Sequence, residues 1–252
     1  MTGAHGFIGS HLVEELVAHD WEVRALLSPW GRADNLASAL ARPGPELVRA
    51  DITQPESLRG AFEDVDVVFH AAARVAEWGP WEPFYRTNVE GTRNVLRAAE
   101  QAGVRRLVLV SSVAVHRFRG FCDADPRVLP RDGDVNAYAR SKVMAEEIVE
   151  GASGLEPVIV RPGLWPFGPR DRNFVRQLEA LRRGLRPLVN GGRARINTAY
   201  VENLVLGLRL AGEVPGAAGR AYLVADEGAP CWRELMDVLA ELAGAPRARM
   251  SL

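Results

Sequence analysis

The sequence predicts an α/β protein in which a doubly wound parallel sheet carries a smaller C-terminal lobe. Three observations predict it. Short, almost uninterrupted apolar runs read as buried strands, amphipathic stretches separate them, and a glycine-spaced turn leads directly into the first amphipathic stretch. Strands covered on both faces are apolar throughout, and helices between consecutive strands make those strands parallel.

Residues 7–18 place Ile8, Leu12, Val13, Leu16 and Val17 at helical spacing. Residues 23–27 follow as a strand, 47–48 as a second and 66–70 as a third. Residues 83–102 form a long helix with Asn94, Val95 and Ala98 on successive turns. The run from Arg106 to Ser111 is a strongly buried strand, 136–150 a helix and 157–160 another strand. The sheet unit spans residues 1–162 and the lobe 163–252, where proline, glycine and arginine become frequent through Gly192. Helices at 202–211 and 232–243 flank a short strand at 221–224, so the lobe is expected to interleave partly with the main sheet. A phosphate-binding glycine turn normally follows a strand. Thr2-Gly3 begins at once, so the first strand is expected to be missing, Met1 to be an internal start and the lobe to be truncated.

Composition narrows the function. Of 252 residues, 47% are hydrophobic and 25% charged, as in a globular domain. A net charge of -1 offers no electrostatic case for nucleic acid or an anionic membrane. No apolar run approaches the roughly 20 residues that span a bilayer, and the glycine-rich opening does not read as a signal peptide. Cys122 and Cys231 fit neither a metal spacing nor a disulfide framework; they read as free thiols of a cytoplasmic protein. A Gly-x-Ser-x-Gly elbow and a Gly-Lys-Ser/Thr phosphate loop are both absent from the sequence. Lys142 is the only lysine among 31 basic residues, which marks it for a task arginine cannot perform.

Thr2-Gly3-Ala4-His5-Gly6-Phe7-Ile8-Gly9 spaces three glycines by three ahead of a helix. Glycines let a pyrophosphate approach the backbone, and the helix N-terminus offers N–H groups and partial positive charge. His5 within it reads as a loop residue. Asp51-Ile52 follows a short strand and by itself reads as a turn. His70-Ala71-Ala72-Ala73 ends another strand, with side chains small enough for a flat ligand or for tight packing. Asn88 and Gly91 lie inside a helix, where glycine costs about 1 kcal/mol, so a packing or site role is expected. Tyr138 and Lys142 are four residues apart and share a helical face. An ammonium ~4 Å from the phenol, at an effective dielectric of ~20, would lower its pKa by roughly 3 units toward a working acid–base value. Ser111-Ser112 ends the buried strand before that helix, where a hydroxyl could bond a substrate oxygen or cap the strand.

In this order, the pieces resemble the extended short-chain dehydrogenase/reductase superfamily, also known as the NAD-dependent epimerase/dehydratase superfamily, over nearly the whole chain. The resemblance rests on Thr2-Gly3-x-x-Gly6-Phe7-Ile8-Gly9, Asp51-Ile52, His70-Ala71-Ala72, Asn88-Val89-x-Gly91-Thr92, Val110-Ser111-Ser112, Tyr138-x-x-x-Lys142 and Arg161-Pro162-Gly163. Ala76 to Tyr85 and Asn197 to Asn203 look like its 3β-hydroxysteroid dehydrogenase branch. The resemblance implies a Rossmann-like fold and an NAD(P)-dependent oxidoreductase interconverting a secondary alcohol and a ketone. It makes Tyr138 the acid–base group, with Lys142 on the nicotinamide ribose. Ser112 is the substrate-polarising hydroxyl, preferred over Ser111 because Val115 stands where the family has the valine of Val-Tyr-Gly; here His116-Arg117 replaces Tyr-Gly. It implies cofactor contacts at Gly3, Gly6, Phe7, Ile8, Gly9, Asp51, Ile52, Ala71, Ala72, Ala73, Tyr138, Lys142 and Pro162. Directly after the strand at 23–27, Ser28 with Arg32 nearby leans toward NADP over NAD, and Arg24 is an alternative phosphate partner. Trp165, Phe167 and Trp232 are core residues or apolar contacts of a small-molecule substrate. A homodimer through the long helices is also implied. Two rival readings are a nucleotide-sugar epimerase or dehydratase with bound NAD, and a non-catalytic NAD(P)-binding protein.

Overall fold

The computed structural model describes residues 1–42, 44–116, 125, 128–133, 135–184 and 188–245. Cys122 and Arg117 lie outside them. The strands are β1 (Arg24–Leu27), β2 (Glu46–Arg49), β3 (Val67–His70), β4 (Arg106–Val110), β5 (Glu156–Pro162), β6 (Trp165–Phe167), β7 (Thr198–Tyr200) and β8 (Arg220–Val224). The helices are α1 (Phe7–Ala18), α2 (Ala37–Leu40), α3 (Trp81–Phe84), α4 (Gly91–Gln101), α5 (Ala137–Glu150), α6 (Arg172–Arg182), α7 (Val201–Glu213) and α8 (Trp232–Leu242). A π-helical stretch, Tyr85–Glu90, joins α3 to α4.

β3, β4, β5 and β8 pair in that order, and β1 pairs with β2, all in parallel. Met1 and Thr2 join the two groups through isolated bridges; among the described residues no strand element precedes α1. Thr2 makes parallel bridges to Leu26 of β1 and to His70 of β3. Leu26 donates its N–H to Met1 O at 2.8 Å, and Thr2 donates to Phe69 O at 2.9 Å. Two residues suffice because such bridging needs only backbone groups that reach both neighbours.

Side-chain alternation sorts the strands onto two cores. Val67, Phe69, Val108, Val110, Val158 and Val160 face α1 and α7, against Leu12, Leu16, Leu204 and Leu208. Val68, Leu107, Leu109 and Ile159 face the other way, onto Val95 and Ala99 of α4 and Ala145 and Val149 of α5. Helices thus cover both faces, which is why the strands read as continuous apolar runs. Residues beyond 162 divide: α7 and β8 join the main sheet, while β6, β7, α6 and α8 form a small lobe around Leu181, Leu188, Met236 and Leu239. The sequence reading passed over α6, although Phe174, Leu178 and Leu181 recur at helical spacing and the Asp171 side chain caps it by accepting from Asn173 N at 2.8 Å.

Arg106 is fully buried and ends α7. One of its terminal nitrogens donates to the carbonyls of Ala211, Gly212 and Val214 at 3.1, 3.0 and 2.8 Å. Those of Ala211 and Gly212 are carbonyls a helix C-terminus leaves without intrahelical donors, while that of Val214 also accepts from Ala217 N at 3.1 Å. Arg106→Ala should destabilise the protein by about 3 kcal/mol, through unpaired carbonyls and a cavity. Urea unfolding with an unchanged m-value checks this; wild-type stability would show that water replaces the cap.

Candidate active site

The glycine turn rests on close backbone approaches. Gly3 has φ +69°, and a Cβ there would sit 2.6 Å from Ala72 N. A Cβ on Gly9 would sit 2.1 Å from Gly3 O. Gly6 closes the turn by donating its N–H to Gly3 O at 3.0 Å. α1 then begins with no side-chain cap and no acidic residue in its first turn. Its N-terminal N–H groups and dipole therefore remain available to an anion. The turn opens on a cleft of about 510 Å³.

Of the residues expected to hold a cofactor, Gly3, Gly6, Ser28, Asp51, Ile52, Ala71, Ala72 and Ala73 line this cleft. Phe7, Ile8 and Gly9 lie behind it as the first turn of α1. Arg32 does not line it; it is exposed and paired with Asp34 at 2.8 Å. Arg49 serves that loop instead, donating to the carbonyls of Ser28, Pro29 and Gly31 at 3.2, 2.8 and 3.0 Å. Arg24 pairs with Glu46 at 2.7 Å, away from the cleft. The Ser28 hydroxyl and His5 Nδ1 are buried with no partner. Asp51 makes both a turn and a wall, accepting from Thr53 N at 2.9 Å and from Thr53 Oγ1 at 2.8 Å. The sequence reading did not single out Trp30, Arg74 or Arg86, which also line the cleft. The signal was present for Trp30, an exposed aromatic just beyond β1, and for Arg74, which directly follows the alanine run.

The polar tract of the long helix is explained by contact. Asn88 accepts from Arg74 N at 2.7 Å and donates to Arg74 O at 3.0 Å and to Ser141 Oγ at 2.8 Å. It thereby ties the cleft wall to α5. A Cβ on Gly91 would lie 2.7 Å from Ile52 Cδ1. His70 bridges Thr2 Oγ1 at 2.7 Å and Thr92 Oγ1 at 3.0 Å. Burial, with Lys142 nearby, pushes its pKa down to about 3, so it acts as a neutral tether.

Ser112, Tyr138 and Lys142 gather where the C-terminal end of β4 meets the first turns of α5. Asn136 starts that helix by accepting from Ala139 N at 2.8 Å. Ser112 lies within reach of the Tyr138 phenol, and its Oγ accepts from Ala114 N at 3.1 Å. Ser111 points elsewhere, donating to Glu146 Oε1 at 2.5 Å, and this separates the two serines. Lys142 is buried and donates to Val110 O at 2.7 Å. Burial pushes the Tyr138 pKa up, against the opposing effect of Ser112. The expected depression of the phenol by Lys142 is therefore not found, because the ammonium is engaged by the Val110 carbonyl and desolvation outweighs it. Pro162 is buried at the end of β5. Trp165 packs on Trp232 and Phe174, at 5.2 and 6.2 Å between ring centroids, and Phe167 packs on Tyr200 at 5.4 Å, as lobe core. Among the described residues, no group of acidic, cysteine or histidine side chains could hold a metal, and no helix is long and apolar enough to cross a membrane.

The profile of the NAD dependent epimerase/dehydratase family matches residues 1–225. The chain belongs to this family. It is an NAD(P)-dependent oxidoreductase of the extended short-chain dehydrogenase/reductase type. The 2-alkyl-3-oxoalkanoate reductase of Stenotrophomonas maltophilia strain K279a is 35% identical over 260 residues, covering 98% of this chain and 76% of that protein. A 3-beta-hydroxysteroid dehydrogenase of Mycolicibacterium neoaurum is 33% identical, covering 90% of this chain and 64% of that protein. Among solved structures, the dTDP-glucose 4,6-dehydratase DesIV of Streptomyces venezuelae, with NAD bound, superposes with a TM-score of 0.86 at 28% identity, covering all of this chain and 83% of that one.

Gly3→Ala should lower the melting temperature and weaken dinucleotide binding by roughly tenfold or more, since the Ala72 backbone cannot yield. Unchanged affinity would mean the turn does not hold the dinucleotide. Burial disfavours the charged form of Lys142 and pushes its pKa down to about 8. As the only lysine, its isotope-labelled side chain gives one resonance in NMR. That signal should titrate near 8; the ordinary value of 10.5 would mean an ammonium in contact with water.

Proposed function

We propose that this enzyme interconverts a secondary alcohol and a ketone on a lipophilic small molecule, a 3-oxo acid or a 3β-hydroxysteroid-like substrate, by reversible hydride transfer. The observation that carries the reading is the division of the serine pair: Ser112 meets the Tyr138 phenol, while Ser111 is bound to Glu146. Tyr138 then gives or takes the hydroxyl proton. Ser112 holds the substrate oxygen as charge develops on it. Lys142 supplies a compact cation at the ribose and along the proton path.

The residues fit a dinucleotide. The cradle at Gly3 and Gly9 has no room for side chains, α1 presents an uncapped N-terminus, and Asp51 and Ile52 form a wall suited to an adenine. Arg74 and Arg86 bring positive charge to the same cleft. When bound, the nicotinamide ring would supply or accept the hydride. Our reading leans toward NADPH, because β1 is followed directly by Ser28, with no carboxylate there for a ribose 2′-hydroxyl; Arg32 is not part of that argument, being paired with Asp34. The substrate class is carried over from the reductase and steroid dehydrogenase relatives. A nucleotide-sugar epimerase or dehydratase is the second reading, favoured by the likeness to DesIV.

Titration with NADH and NADPH, followed by tryptophan quenching at Trp30, should show tighter binding of NADPH; binding of neither would overturn the dinucleotide site. Tyr138→Phe should lower ketone reduction by about 10³-fold with cofactor affinity unchanged. Full retained turnover would remove Tyr138 from the reaction. Product analysis with UDP- or dTDP-sugars separates the second reading.

A further inference from the structure

We propose that Glu146 is a positioning residue that keeps Ser112, Tyr138 and Lys142 in register. Tyr138, Lys142 and Glu146 follow one another at four-residue steps along one face of α5. Glu146 is completely buried. It accepts from the Ser111 hydroxyl at 2.5 Å, from Arg161 Nε at 2.9 Å and NH2 at 2.7 Å, and from Arg131 NH1 at 3.1 Å. One carboxylate thus joins the catalytic helix to the end of β4, to the end of β5 and to the segment before α5.

The consequence at the site is direct. Ser111 is bonded to Glu146, while its neighbour Ser112, which accepts from Ala114 N at 3.1 Å, lies beside Tyr138. A buried carboxyl would ordinarily be pushed toward its neutral form. Here burial is outweighed by the bonds and charge of Arg161, then by the bonds from Ser111 and Arg131, and Glu146 is held below the usual carboxylate range. The groups facing it are Arg161 from β5, Arg131, which is shared with Glu150, Ser111, and Lys142 one turn back on its own helix; His116 lies beyond, against Arg161 at 3.2 Å. The anion also favours the charged form of Lys142, which burial opposes. The inference rests on the proposed roles of Ser112, Tyr138 and Lys142.

The test uses Glu146→Gln, Glu146→Asp and Ser111→Ala, with Tyr138→Phe beside them. The single lysine resonance of Glu146→Gln should titrate below about 8, and Glu146→Asp should restore it toward wild type. A purely structural role would lower the melting temperature and leave that midpoint in place, which would overturn the proposal. Glu146→Gln leaves the Arg161 guanidinium buried without its anion. Ser111→Ala retains the ion pair and serves if the first variant does not fold. With NADPH and ethyl acetoacetate as probe, Ser111→Ala should lower kcat by roughly threefold or more with unchanged melting temperature and NADPH affinity; wild-type kcat would overturn the proposal. The companion variant separates the two failures. An active Tyr138→Phe sinks the catalytic reading, whereas an inactive one beside a fully active Ser111→Ala sinks only the role of Glu146.

Discussion

The structure turns on the approach of Gly3 to the backbone of Ala72. With a virtual Cβ only 2.6 Å from Ala72 N, no other residue allows the first turn to lie against the end of β3. That approach sets where Met1 and Thr2 enter the sheet, and their bonds to Leu26 and Phe69 join β1 and β2 to the other four strands. It also places the N-terminus of α1 over the carboxyl ends of the strands, where open parallel sheets bind their ligands. A cleft and a sheet therefore share one steric condition.

Around that point the polar side chains act mainly as braces. His70 is neutral and held by two threonines, with Lys142 as a nearby cation. Asn88 bonds the backbone of Arg74 and the hydroxyl of Ser141, locking the alanine-lined wall to the helix that carries Tyr138. Each brace satisfies groups that would otherwise be buried without partners, a penalty of about 1–3 kcal/mol apiece.

The two serines show how far local pattern reaches. Both are small hydroxyl residues at the end of an apolar strand, and spacing from a family motif favoured Ser112 over Ser111. What separates them physically is Glu146, 35 residues away along the chain from Ser111 and brought near by the packing of α5 on β4 and β5. Arg32 shows the opposite outcome. Its place after β1 suited a phosphate partner, but Asp34, two residues on, takes its charge, and Arg49 from the neighbouring strand holds the loop.

The sequence by itself determined the alternation of strands and helices, the glycine turn, and the i,i+4 pairing of Tyr138 with Lys142. These depend on periodicity, on the missing Cβ and on neighbours within one helix, all of which are local. It also gave a reason to expect work from Asn88 and Gly91, because their presence in a helix is unfavourable. Tertiary structure alone decided that Met1 and Thr2 bond to both β1 and β3, since that requires the two strands to present backbone groups on either side. It alone decided that Lys142 bonds a carbonyl and that burial raises the phenol, since solvation and hydrogen-bond partners follow from packing between elements distant in the chain.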